Sequence, residues 1–125
     1  MTKAYERKPN SLDYALGYAR ILVATKEPGR ARDILLPFVK KEIANFDLYD
    51  CLGKAFQKAG DIKEAIPWYQ KALSHKGNAI EVLNSLGECY FKIGDKEQAL
   101  RAWKKSLEIN PNQENIKKMI ERLKE

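Results

Sequence analysis

The chain repeats itself at a fixed offset. Leu52-Gly53 returns as Leu86-Gly87 (87 − 53 = 34), Phe56 as Tyr90, Gly60-Asp61 as Gly94-Asp95, Ala65 as Ala99 and Tyr69 as Trp103. Self-similarity at this period means stacked supersecondary units, each too small to bury its own apolar face. Such a chain presents a surface to a partner more readily than it builds a catalytic pocket.

Fixing the register on the two glycines divides the chain into units 12–45, 46–79 and 80–113. The first unit diverges but keeps the pattern: Ala19 stands where Gly53 and Gly87 stand, Leu22 matches Phe56, Ala31 matches Ala65, and Leu35 matches Tyr69. Each unit reads as two amphipathic helices joined by a short turn. Counting back one period sets Ala4 against Phe38 and Tyr5 against Val39, so residues 1–11 read as the tail of a preceding unit. The chain is accordingly expected to be a piece of a longer array. Residues 114–125 leave the pattern; Ile116, Met119, Ile120 and Leu123 form a narrow apolar stripe suited to a terminal capping helix.

Helix boundaries carry their own chemistry. Ser11, Asn45 and Asn78 precede the first helices and can accept bonds from exposed first-turn N–H groups. Asn78 with Glu81, Asp61 with Glu64, and Asp95 with Gln98 have reciprocal capping spacing. Gly60 and Gly94 suit the left-handed backbone of a turn between helices, and Lys26-Glu27-Pro28 occupies that turn in the first unit. Gly53 and Gly87 each cost about 1 kcal/mol inside a helix, and the expected return is close packing against Ala65 and Ala99. Pro37 and Pro67 fall within second helices and are expected to bend them locally.

The third unit reads Leu83-x2-Leu86-Gly87-x2-Tyr90, Ala99-x3-Trp103, Pro111, and the second reads Tyr49-x2-Leu52-Gly53-x2-Phe56, Ala65-x3-Tyr69, with Gly77 in the place of the proline. This resembles the tetratricopeptide repeat motif, W-x2-L-G-x2-Y, A-x3-F, P. The resemblance implies an all-α, right-handed superhelical solenoid of antiparallel helix pairs, with the first helix of each pair lining a concave groove. It places Asp13, Leu16, Arg20 and Val23 of the first unit on that inner face. The second unit contributes Asp47, Asp50, Lys54 and Gln57, and the third Glu81, Asn84, Glu88 and Phe91.

Five carboxylates and two cations give this groove a net charge of −3 within a chain of net +6. The expected partner is therefore a protein or peptide carrying lysine or arginine, with Leu16, Val23 and Phe91 as apolar contacts. Some members of the resembled family grip a carboxy terminus with a basic two-carboxylate clamp. At the matching places stand Leu16, Arg20, Cys51, Glu81 and Ser85, which do not form one.

Other function classes find less support. One histidine, His75, and two cysteines without CxxC spacing give no metal set, and no phosphate loop or nucleophile motif is present; neither catalysis nor a cofactor is expected. Cys51 and Cys89 read as small buried side chains. An alternative is RNA binding through basic residues on second helices and the tail, namely Arg30, Arg32, Lys40, Lys41, Lys104, Lys105, Lys117 and Lys118, although an acidic groove repels phosphate. Another is self-association through an uncovered first helix pair, which would make a homodimer. No apolar run approaches the roughly 18 residues of a membrane span. Met1 to Arg7 are too polar for a signal peptide, so the cytoplasm is the default expectation.

Overall fold

A computed structural model describes residues 12–40 and 45–124. They form seven helices: α1 (Leu12–Ala24), α2 (Pro28–Lys40), α3 (Phe46–Lys58), α4 (Ile62–His75), α5 (Ile80–Lys92), α6 (Lys96–Ile109) and α7 (Glu114–Leu123). There is no strand among the described residues. Each helix packs on the next along the chain, and α1 also packs on α3. The result is a stack of three hairpins, α1–α2, α3–α4 and α5–α6, closed by α7. The expected tail of a preceding unit, and Ser11 as a cap, lie outside the described residues.

Apolar residues return to the same environment at every period. Ala31, Ala65 and Ala99 are fully buried, and so are Leu35, Tyr69 and Trp103 one turn further along the second helices. The core is consequently segmented, each cluster lying where one hairpin meets the next: α1–α2 with α3, α4 with α5, and α6 with α7.

The glycine assignment needs correction. A Cβ at Gly53 would lie 2.6 Å from the Tyr69 ring, and one at Gly87 would lie 2.6 Å from Trp103 Cδ1. The glycines therefore face the large aromatic of the second helix, not the small Ala65 and Ala99. The first unit solves the same crossing with Ala19 and Leu35, trading a methyl on one helix for a smaller side chain on the other. Glycine here makes room for a ring.

The turns between helices repeat as closely as the core. Gly60 (φ +92°) and Gly94 (φ +87°) are left-handed, and Lys26 holds the equivalent position at φ +66°. In all three, the next N–H donates back across the turn: Glu27 to the Leu22 carbonyl, Asp61 to Phe56 and Asp95 to Tyr90. This is the Schellman arrangement, which satisfies carbonyls left open at a helix end. Pro28 opens α2, and helices α2 and α4 run without a break through Pro37 and Pro67, both exposed.

Capping is less uniform than the spacing suggests. Asn45 accepts from the Leu48 N–H at 3.0 Å, and Asp95 accepts from Gln98 at 3.2 Å. Asn78 does not cap α5: the cap position falls on Ala79, so the Asn78–Glu81 box is not made. Asp61 makes no cap bond either. Its carboxylate turns instead to Arg32 of the preceding unit, 2.8 Å away, and Arg32 in turn lies over the Phe56 ring. An inter-unit contact has displaced a local one.

Candidate functional site

The twelve side chains expected on the inner face all belong to the first helices α1, α3 and α5, where the period keeps them in register. Their environments differ. Asp13, Arg20, Asp47, Glu81 and Glu88 are exposed; Val23, Asp50, Lys54, Gln57, Asn84 and Phe91 are half-buried. Leu16 leaves the set: it is 4% exposed and belongs to the core between the first two hairpins, because its position on α1 turns inward where Asp50 and Asn84 stay partly open.

The carboxylates are more nearly neutralised than a count along the helices implies. Arg20 reaches Asp47 across α1 and α3 at 3.6 Å, Lys54 holds Asp50 at 3.1 Å, and Lys92 lies 3.4 Å from Glu88. Lys92 was not in the expected set, since it falls one residue beyond Phe91. It reduces the negative excess of the patch by one, from −3 to −2. Asp13 and Glu81 keep no cation among the described residues. Asp50 is the most deeply set carboxylate, its side chain 13% exposed and one oxygen, Oδ1, buried without a donor.

Two of the expected contacts are occupied within the molecule. Gln57 Oε1 accepts from the Tyr69 hydroxyl at 2.6 Å. Asn84 donates through Nδ2 to Gln113 Oε1 at 2.9 Å, while its backbone carbonyl accepts from the Trp103 indole at 3.3 Å. Gln113 then donates to the Ser106 hydroxyl and to the carbonyls of Ser106 and Asn110, joining α5, α6 and α7. Sequence reading missed this glutamine, whose role depends on three helices meeting.

Among the described residues, three of the openings lie along these helices. The smallest, about 80 Å³, is bounded by Arg20, Val23, Cys51 and Lys54. A second, about 270 Å³, lies between the amino ends of α3 and α5 and brings Asp50 and Glu81 together with Lys76. The largest, about 440 Å³, has Phe91, Trp103, Ile116 and Met119 as its apolar wall and Glu88, Lys92, Asn84 and Asn115 among its polar residues. The Phe91 ring is tilted against Trp103, centroids 5.9 Å apart, which fixes its orientation. Trp103, Ile116 and Met119 were read as core or cap; the cavity forms because α7 leaves a gap beside α5.

Cys51 and Cys89 are both buried free thiols. Burial pushes the Cys89 thiol up to about 11, with Glu88 adding to the shift, and raises Cys51 against the opposing pull of Arg20 and Lys54. Neither is a ready nucleophile. His75, at the end of α4, is exposed and stacks on Tyr49 with centroids 5.5 Å apart. Among the described residues no cluster of histidine, cysteine and carboxylate could hold a metal ion.

The basic set of the alternative reading is likewise partly spent. Arg30 pairs with Glu27, Arg32 with Asp61, and Lys117 with Glu114; Lys41 lies outside the described residues.

These features define a helical-repeat solenoid whose first helices share one accessible face. Family models of the tetratricopeptide repeat match residues 46–79 and 80–113, together more than half of the chain. The chain belongs to the tetratricopeptide repeat family. Among solved structures, a crystal structure of MamA superposes with a TM-score of 0.89 at 22% identity, covering 98% of this chain and 71% of that one. A fragment of MamA, residue 41 to the end, from Desulfovibrio magneticus RS-1 gives 0.79 at 22% identity, covering 90% and 63%. At such identity the likeness carries the fold. No curated protein matches the sequence. No helix among the described residues is long and apolar enough to cross a membrane.

Proposed function

We propose that the chain is a non-catalytic protein-interaction scaffold that receives an extended peptide along α1, α3 and α5. The observation that carries this reading is the 440 Å³ opening beside α5, where the half-buried Phe91 and Met119 offer apolar surface next to the Glu88 carboxylate, with Trp103 buried behind Phe91. A buried aromatic wall supplies binding energy, while charge at the rim sets partner choice and association rate. The peptide would place an apolar side chain against Phe91 and lysine or arginine near Glu88, Glu81 and Asp13. Because Asp47, Asp50 and Glu88 already have cations, the attraction is weaker than five free carboxylates would exert. Apolar anchoring is the larger contribution.

The test is selection of a randomised displayed peptide library against the chain, followed by anisotropy titration of the enriched peptides. Enrichment of one apolar residue flanked by basic ones is expected. Phe91→Ala should abolish binding, and Glu81→Lys with Glu88→Lys should weaken it and flatten its salt dependence. Peptides that bind both variants as tightly as the parent would exclude this face.

RNA binding through the second helices has one observation in its favour. Lys71 Nζ lies over Trp68 at 4.8 Å and over Tyr49 at 5.8 Å, a basic and aromatic cluster of the kind that stacks bases. Those rings already stack on each other, Tyr49 on Trp68 and Phe56 on Trp68, which makes the cluster a weaker candidate. A salt-titrated gel shift with single-stranded RNA separates the two readings.

A further inference from the structure

The helix after the third hairpin keeps half of the repeat. In the same register, Ile116 follows Leu48 and Val82, and Ile120 follows Leu52 and Leu86. All six are buried. α7 thus packs on α6 as α5 packs on α4 and α3 on α2. Glu121, by contrast, stands where Gly87 meets the second helix of its own hairpin. On that side the charges of α7 satisfy one another: Lys117 lies 3.3 Å from Glu114, and Lys124 lies 3.4 Å from Glu121.

The crevices between successive first helices correspond in the same way. The one between α3 and α5 is lined by Asp50, Glu81 and Val82, and the one between α5 and α7 by Asn84, Asn115 and Ile116, each one period later. Asp50 Oδ1 and Asn84 Oδ1 are both buried without a donor. The opening between α1 and α3 has Arg20, Val23 and Cys51; two periods on, Glu88, Phe91 and Met119 line the largest. By these matches α7 is a fourth inner helix.

Its inner positions carry the opposite charge. Asn115 follows Asp13, Asp47 and Glu81; Lys118 follows Asp50 and Asn84; Arg122 follows Lys54 and Glu88. Lys118 and Arg122 are exposed, one turn apart, and have no carboxylate partner among the described residues. Arg122 Nη1 lies 3.8 Å from Met119 Sδ, which sets the guanidinium beside the apolar wall of the opening. The inner surface therefore changes sign along its length.

We infer that the groove takes a peptide of mixed charge, with basic residues toward Asp50 and Glu81 and a carboxylate over Lys118 and Arg122. This rests on the peptide reading above and adds a polarity to it. Phe91 sets where the apolar side chain sits, and the charges on either side set which flank of the peptide faces α7. A peptide basic throughout is repelled at α7, and one acidic throughout at Asp50 and Glu81. The carboxylate comes from an acidic side chain or from the peptide's own carboxy terminus, since two exposed cations serve either.

Anisotropy titration of the full chain with amino-terminally labelled peptides tests the inference. Three amidated probes share a central phenylalanine: Lys-Lys-Ser-Phe-Ser-Glu-Glu, the same with Gln-Gln as its tail, and the same with Lys-Lys. A fourth has the Gln-Gln tail and a free carboxy terminus. The glutamate-tailed probe should bind about tenfold more tightly than the lysine-tailed one, the effect of two exposed pairs turned from repulsion to attraction. Lys118→Glu with Arg122→Glu should invert that order and leave the helical melt unchanged, because both side chains are exposed. A gain for the free terminus over its amidated twin, removed by the same variant, assigns the site to a chain end; a gain for glutamates alone assigns it to side chains. Equal affinity for the glutamate and lysine tails, with both lost in Phe91→Ala, would overturn the carboxylate site and leave the scaffold standing. Failure of every probe to bind, or binding indifferent to Phe91→Ala, would overturn both.

Discussion

The crossing of first and second helices can be tested by adding one methyl group at Gly87. Its Cβ would come 2.6 Å from Trp103 Cδ1, against the roughly 3.5–4.0 Å of a relaxed carbon contact, so ring or helix must shift by about 1 Å. Trp103 is 1% exposed and cannot swing into solvent. Overpacking of this kind costs about 1–3 kcal/mol, and the better helix propensity of alanine returns about 1 kcal/mol. Gly87→Ala should thus lose up to about 2 kcal/mol, a fall in Tm of several degrees for a domain of this size. The first unit supplies the remedy. Pairing Gly87→Ala with Trp103→Leu rebuilds the Ala19–Leu35 crossing, so the two substitutions together should cost less than the sum of each alone. The assay is thermal melting by circular dichroism across the four-member cycle. An unchanged or raised Tm for Gly87→Ala, with strictly additive effects, would refute the close approach of helix and ring.

Other consequences can be measured on the same protein. Lys26→Gly removes a side chain from left-handed backbone at φ +66° and should stabilise by up to about 1 kcal/mol, read from the urea midpoint; a loss would mean that the side chain has a contact worth more than its strain. Arg32→Ala should destabilise by roughly 1 kcal/mol and do so equally at low and high salt, since packing over Phe56 survives screening better than the half-exposed pair with Asp61. Raised thiol pKa values make the unfolded state lose its protons first as pH rises, so stability is full below 9.0 and declines as pH approaches the Cys89 value of about 11. Cys89→Ala should shrink that alkaline decline in urea titrations, and an unaltered slope would remove Cys89 as its cause.

Much of this arrangement is legible in the residues because a repeat reports the same environment several times. The register that aligns Ala65 with Ala99 and Tyr69 with Trp103 also locates the turns and the buried faces, and it survives in the first unit although few identities remain. What the register hides is pairwise geometry. That Gly87 faces an indole and not Ala99 depends on the crossing of two helices, and helical spacing alone does not fix it. Asp61 looked like a cap, but an arginine from the preceding unit competes for the same carboxylate. Leu16 shares its register with Asp50 and Asn84, yet as an apolar side chain at that position it folds into the core. The opening beside α5 was invisible for a related reason: its wall combines Phe91 with Ile116 and Met119 of a helix outside the repeat pattern.

The most direct measurement is a map of backbone amide chemical shifts as a library-selected peptide is titrated into the isotopically labelled chain. Perturbations should concentrate on α5 around Glu88 and Phe91, extend to Met119 of α7, and continue along α3 and α1 toward Asp47 and Asp13. Shifts confined to α2, α4 and α6, with Phe91 and its neighbours unmoved, would contradict a scaffold that works through its first helices.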